Sequence, residues 1–177
     1  MQVVVIGDSI VHGGIDKEFG GWVARLKIKS DCANRGDHVF NLGLGGNSSR
    51  DMLARAEGEI KARQGHVKNV IFSTGTNDMN LKIPLVEFKS NLEQLGRIAS
   101  GFGKKVYFMG LFMRSDRDSA KETAEYDASI RAVCTGGGYT YIPTADVICA
   151  EDLQDACHPN ASGHAKLCDR VAEFMKD

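Results

Sequence analysis

The feature of this 177-residue chain that most limits its fold is a repeated alternation. Short β-branched or aromatic runs occur at Val3 to Ile6, Val39 to Leu42, Val67 to Thr74 and Val106 to Met109, with a weaker one at Tyr139 to Ile142. Each ends in a polar or glycine-rich stretch, as strands do. Between them lie segments of helical spacing: Trp22 to Ile28, Ser49 to Ala62, Ala124 to Cys134, and Ala161 to Met175 with its stripe of Leu167, Val171 and Phe174. The clearest carries Leu85, Phe88, Leu92, Leu95 and Ile98 behind Pro84, a residue suited to a helix start. Strand-helix units in series can bury both faces of a sheet only under helices. The expectation is therefore a three-layer α/β/α sandwich with a parallel five-stranded sheet in flavodoxin-like order, forming a single domain over residues 1–177. No internal repeat or linker interrupts it.

Composition narrows the class of partner. An apolar share of 42% and a charged share of 25% are those of a soluble globular chain and argue against disorder. With 22 basic against 23 acidic residues and no run of like charge, nothing points to a nucleic-acid backbone or an anionic membrane surface. A small neutral molecule fits better. Cys32, Cys134, Cys149, Cys157 and Cys168 are odd in number and widely spaced, and read as reduced thiols. No apolar run is long enough to span a membrane, and Met1 to Ile6 lack the basic start of a signal peptide, so a cytoplasmic protein is expected. The oligomeric state is not readable from these features.

In an open parallel sheet the functional residues belong in the turns after the strands' carboxyl ends. Three informative stretches fall there: Gly7-Asp8-Ser9, Gly43 to Ser49, and Gly75-Thr76-Asn77-Asp78. A serine hydroxyl attacks a carbonyl poorly unless a histidine takes its proton, and that histidine needs an acceptor to orient it. Asp155-Ala156-Cys157-His158 supplies both, and a turn there would bring Asp155 to the ring nitrogen of His158 that faces away from Ser9. The commonplace alternatives are a helix N-cap for Ser9 and an Asx-turn for Asp155. Acyl transfer also needs donors for the oxygen that becomes negative. Gly46, in an open glycine-rich stretch, and the amide of Asn77 are the candidates, although each stretch alone would equally serve as a plain strand-to-helix turn. On the substrate side we expect Asp8, Met79 and Leu81, with Met79 to Ile83 bordering an acyl pocket and Leu111 to Arg114 as the next candidate.

Taken in order, Gly-Asp-Ser at 7 to 9, Asn-Leu-Gly-Leu-Gly-Gly-Asn-Ser-Ser at 41 to 49, Gly-Thr-Asn-Asp at 75 to 78 and Asp-x-x-His-Pro-Asn at 155 to 160 resemble the four sequence blocks of the SGNH, or GDSL-type, hydrolases. Gly20-Gly21-Trp22 is similar to a feature of that family's smaller bacterial esterases. The resemblance implies that Ser9 is nucleophile and first oxyanion donor, that Gly46 and Asn77 complete the oxyanion hole, and that Asp155 and His158 complete the triad. It implies a serine hydrolase cleaving an ester, thioester or acetyl ester of a small substrate through an acyl-enzyme, with no cofactor. Two departures are Ile10 where the family has leucine, and Ala156 where it often has glycine.

Other classes fit less well. Gly43-Leu44-Gly45-Gly46-Asn47-Ser48 lacks the last glycine of a dinucleotide fingerprint, and neither a Walker A pattern nor a G-x-S-x-G elbow is present. Cys149, Cys157, His158, His164 and Cys168 lack the paired C-x-x-C spacing of a zinc site, so no metal is expected, and His164 is expected to cap or pack in the last helix. A non-enzymatic flavodoxin-like module that holds an acyl or sugar ligand stays open as the alternative.

Overall fold

The computed structural model describes residues 1–33, 36–115 and 120–175. Five strands, β1 (Gln2–Gly7), β2 (His38–Gly43), β3 (Asn69–Ser73), β4 (Lys105–Met109) and β5 (Thr140–Ile142), form one sheet in the order β2-β1-β3-β4-β5. All neighbouring pairs are parallel, which is the expected flavodoxin-like order. The principal helices are α2 (Trp22–Ala33), α3 (Ser49–Ala62), α5 (Leu85–Gly101), α6 (Ala120–Gly137) and α7 (Ala161–Phe174). Cys134, Cys149, Cys157 and Cys168 are thiols. The side chain of Cys32 lies outside the described residues.

The period of two in β1 divides the core. Val4 and Ile6 face a layer in which α3, α5 and α6 contribute Met52, Ile60, Leu92 and Ile130. Val3 and Val5 face the opposite layer, where α2 and α7 contribute Trp22, Leu26, Leu167 and Val171. Each large side chain buried in this way contributes about 1.5–3 kcal/mol of transfer free energy. The stripe that marks α5 behaves as its spacing predicts: Phe88, Leu92 and Leu95 are fully buried, and Leu85 and Ile98 pack at the margin of the same cluster.

Two short helices have no counterpart in the sequence reading, α1 (Ser9–His12) and α4 (Thr76–Asn80). At four and five residues they are too short to show a period. The N-cap of α1 is Asp8 and not Ser9: its Oδ1 accepts the Ile10 N–H at 2.9 Å, and Ser9 opens the helix. This helix crosses the end of β2, and the crossing requires Gly43, since a Cβ there would lie 2.1 Å from the backbone nitrogen of His12.

The register then levels the functional edge. Gly7 pairs with Gly43 on one side and with Ser73 on the other, so the turns after β1, β2 and β3 leave the sheet at one height.

Gly43→Ala should destabilise the protein by about 2–3 kcal/mol in urea unfolding, because backbone would have to move to admit the methyl group. Gly58→Ala, on an exposed part of α3 with nothing within 4 Å, should instead stabilise by about 0.5–1 kcal/mol. The cap of α1 gives a pH signature. Asp8 is 2% exposed, and burial raises its pKa to about 6 against the opposing pull of the Ile10 and Val11 N–H groups and of charged His158. The folded state therefore holds this proton where the unfolded chain has released it, and stability should fall as pH rises from about 4 to about 6. Asparagine caps equally well without ionising. Asp8→Asn should flatten that stretch of the profile and be more stable than wild type at pH 7 by up to roughly 3 kcal/mol, measured as unfolding free energy against pH.

Candidate active site

Ser9 and His158 are brought together from opposite ends of the chain. The Oγ of Ser9, in the first turn of α1, lies 2.9 Å from Nε2 of His158. On the other side of the ring Nδ1 lies 2.9 Å from Oδ2 and 3.1 Å from Oδ1 of Asp155. One tautomer satisfies both contacts, with Nδ1–H donating to the carboxylate and Nε2 accepting from the serine hydroxyl.

The turn itself builds this geometry. Oδ1 of Asp155 accepts the N–H groups of Cys157 and His158, each at 2.8 Å, so the carboxylate that orients the ring also folds the backbone carrying it. The Asx-turn and the contact with the His158 ring are thus made by one carboxylate, and Ala156 is compatible with both. Burial opposes the charge of Asp155, but these two N–H groups and His158 outweigh it and hold the carboxyl well below the usual range. The loop is fastened on both flanks. Gln154 N–H donates to the His158 carbonyl at 2.8 Å, and Ser115 N–H donates to the Ala156 carbonyl at 3.0 Å. Asn160 then caps α7 by accepting the Gly163 N–H at 3.1 Å, which accounts for the asparagine of the Asp-x-x-His-Pro-Asn block.

The oxyanion candidates meet at the turn after β2. Asn47 N–H bonds back to the Leu44 carbonyl at 3.2 Å, with Gly46 at φ 80°, the position of a type II turn where glycine is favoured. A Cβ on Gly45 would lie 4.0 Å from Cβ of Ser9, so this turn borders Ser9. Nδ2 of Asn77 donates to the Asn47 carbonyl at 3.0 Å, which occupies one of its two hydrogens and seats the amide against the same turn. The Ser9 N–H, in the first turn of its helix, has no acceptor within it.

Residues with no sequence signal hold these pieces. Arg55 on α3 donates from Nε to Oδ1 of Asn47 at 2.9 Å, and from Nη2 to the carbonyls of Leu42 at 2.9 Å and Gly7 at 3.1 Å. Asp78 is fully buried and accepts from Ser49 N–H at 3.1 Å, Ser49 Oγ at 2.5 Å and Thr74 Oγ1 at 3.0 Å, while Asn91 donates to Ser49 Oγ at 2.9 Å. Asp78 could have been suspected from its place beside Asn77. Arg55 is one more cation on an amphipathic helix, and nothing in the sequence distinguishes it.

The substrate-side expectations need correction. Asp8 is buried as a cap and does not open toward a ligand. Met79 lies on α4 at 1% exposure within the core, and Ile83 is equally buried, so neither side chain lines an open pocket. Leu81 is 60% exposed at the end of that helix. In the stretch after β4, Met113 is exposed, whereas Leu111, Phe112 and Arg114 are buried. His164 packs in α7 as expected: burial lowers its pKa to about 4, and Nδ1 accepts the Trp22 N–H at 3.2 Å.

The fold has many relatives of known structure. The crystal structure of TesA superposes with a TM-score of 0.85 at 23% identity, covering 98% of this chain and 97% of that one. The psychrotrophic esterase EstA from Pseudoalteromonas sp. gives 0.84 at 17% identity, covering 97% and 94%. The acetyl xylan esterase AlAXEase gives 0.86 at 17% identity, covering 99% and 100%. No curated protein sequence matches the chain significantly. The model of the GDSL-like lipase/acylhydrolase family matches residues 5–166, a span that runs from β1 through Ser9, the turns after β2 and β3 and the Asp155–His158 turn into α7, and the chain belongs to that family of ester-cleaving hydrolases.

Proposed function

We propose that Ser9, His158 and Asp155 act as nucleophile, base and orienting carboxylate in the hydrolysis of a small ester through an acyl-serine. The observation that carries this reading is the unbroken relay from Ser9 Oγ to His158 Nε2, and from Nδ1 to Asp155. Nε2 takes the hydroxyl proton as Oγ adds to the ester carbonyl, and the ionised Asp155 stabilises the imidazolium that forms. The new oxyanion is received by the N–H groups of Ser9 and Gly46 and by the second Nδ2 hydrogen of Asn77, all held in place before reaction. His158 then protonates the leaving alkoxide. A water molecule repeats the sequence on the acyl-enzyme and regenerates Ser9.

The side chains of His158 and Asp155 are 25% and 48% exposed, so the site is open and shallow. Leu44, Leu81 and Met113, exposed apolar residues on the turns after β2, α4 and β4, are available to an acyl or alkyl group. Esterase and acetyl xylan esterase activities among the structural relatives are consistent with a short acyl group as the part transferred. Asp8 and Met79 have no part in substrate contact in this reading, and Leu81 keeps one.

On a short-chain p-nitrophenyl ester, Ser9→Ala and His158→Ala should each abolish most turnover. The double variant should be hardly worse than either, because the two residues serve one proton transfer. A fluorophosphonate should label the wild type and fail on Ser9→Ala. Asn77→Ala should lower kcat by roughly 10²- to 10³-fold with its fold intact by circular dichroism. Full turnover by Ser9→Ala would restore the ligand-binding alternative.

A further inference from the structure

Cys157 stands against the ring of His158 on the side away from Ser9. Its Sγ is 3.3 Å from Nδ1 of His158, the nitrogen that also meets Asp155 at 2.9 Å. One donor atom from each of Asp155, Cys157 and His158 lies within 4.8 Å of the others, with Asp155 exposed and the other two partly so. Thiolate, imidazole and carboxylate are the ligand types that zinc takes. With zinc-ligand bonds of about 2.0–2.3 Å, a cation bridging donors 3.3 Å and 2.9 Å apart would subtend roughly 90–100° across each of those two pairs, near enough to tetrahedral for small side-chain shifts to complete the site with water as fourth ligand.

We propose that Asp155, Cys157 and His158 form an inhibitory site for zinc or a similar thiophilic divalent cation, which switches the hydrolase off by capturing His158 in the wrong tautomer. The proposal rests on the triad reading above. In the working state Nδ1 carries the ring proton and Nε2 presents a lone pair to Ser9. A metal needs the Nδ1 lone pair, so the ring proton must be carried on Nε2 instead, exchanging through solvent. Coordination also releases the thiol proton of Cys157 to solvent, and no electron is transferred. An Nε2–H cannot accept from Ser9, and Asp155 is diverted to the cation. Loss of the working tautomer in a serine triad costs about 10⁴ in kcat, so the metal-loaded enzyme should be essentially silent. Substrate need not be displaced, and the inhibition should be of kcat more than of KM.

Cys157 distinguishes this site from adventitious binding to a triad histidine. Alanine at this position keeps the backbone N–H that Asp155 accepts, so Cys157→Ala should retain basal turnover. Micromolar zinc should inhibit the wild type by at least about tenfold, reversibly on adding EDTA, and should inhibit Cys157→Ala less than about twofold, a contrast in metal affinity of the size that losing one supporting ligand produces. Cobalt(II) should give a thiolate charge-transfer band with the wild type and with Ser9→Ala, and none with Cys157→Ala. Equal inhibition of wild type and Cys157→Ala, an active wild type indifferent to zinc, or a cobalt–thiolate band that survives in Cys157→Ala would each overturn the proposal. A wild type without ester turnover would overturn the functional reading instead, and the cobalt band would then decide the metal site alone.

Discussion

The polar groups of the site depend on one register. β1 is held between β2 and β3 with Gly7 level with Gly43 and Ser73, and the turns that leave these ends carry Ser9, Gly46 and Asn77. Parallel pairing makes such a level edge possible, because all strands end on the same side and each must be followed by a crossover helix. The strand ends also tolerate crowding. Gly43 lets α1 cross directly above β2, so Ser9 sits close to the turn that holds Gly45 and Gly46. A slip of one residue in β1 would reverse its two apolar faces, placing Val4 and Ile6 where Val3 and Val5 belong, so the core that stabilises the sheet also fixes the height of the serine.

Behind that edge the protein keeps a layer of buried polar groups that do not touch the reacting atoms. Asp78 is the centre of it, accepting from Ser49 and Thr74 and so tying the start of α3 to the turn that carries Asn77. Taking a carboxylate out of water is expensive, and each hydrogen bond to a charged group returns about 1.5–3 kcal/mol. A fully bonded arrangement of this kind adds little net stability. Its value lies in direction, because a well-satisfied buried network has one geometry and an apolar one would have several. Arg55 performs a similar service on the other side, joining Asn47 to the carbonyls at the ends of β1 and β2.

Much of this was legible in the sequence, for identifiable reasons. Short β-branched or aromatic runs marked all five strands and helical spacing marked the five long helices, because burial under helices on both faces imposes the first and burial of one face the second. Ser9, Gly46 and Asn77 stood out because they sit where apolar runs give way to turns, Asp155 and His158 because a serine needs a base and that base an acceptor, and the structure gathers them at one sheet edge. What stayed hidden has a common cause. Asp8, Met79 and Arg55 are each defined by what surrounds them in three dimensions. Asp8 looked like a neighbour of the nucleophile available to substrate, yet the turn that aims Ser9 at His158 rolls Asp8 inward as the cap. Met79 and Leu81 are two residues apart and looked equivalent, but about half a turn at the end of α4 sends the first to the core and leaves the second in solvent. A helix of five residues has no period to read, so sequence alone had no basis for separating them.

The two aspartates that flank the chemistry show how differently one residue type can be used. Asp155 stands largely in solvent, keeps its charge through two backbone N–H groups and the ring it orients, and is therefore a dependable anion at neutral pH. Asp8 is enclosed, and its carboxyl is pushed toward the neutral form. Its enclosure costs stability at neutral pH, whereas a neutral cap of the same shape would not. Placing the serine in the first turn of a helix requires some residue to cap that helix from inside the sheet edge, and the cap must accept a hydrogen bond where no water reaches. An aspartate there also lies within electrostatic reach of His158, whose charged form pulls the Asp8 carboxyl toward ionisation against the burial. The stability given up at Asp8 is thus located at the edge that holds Ser9 against His158, and a folded protein can tolerate such a loss where the local geometry requires it.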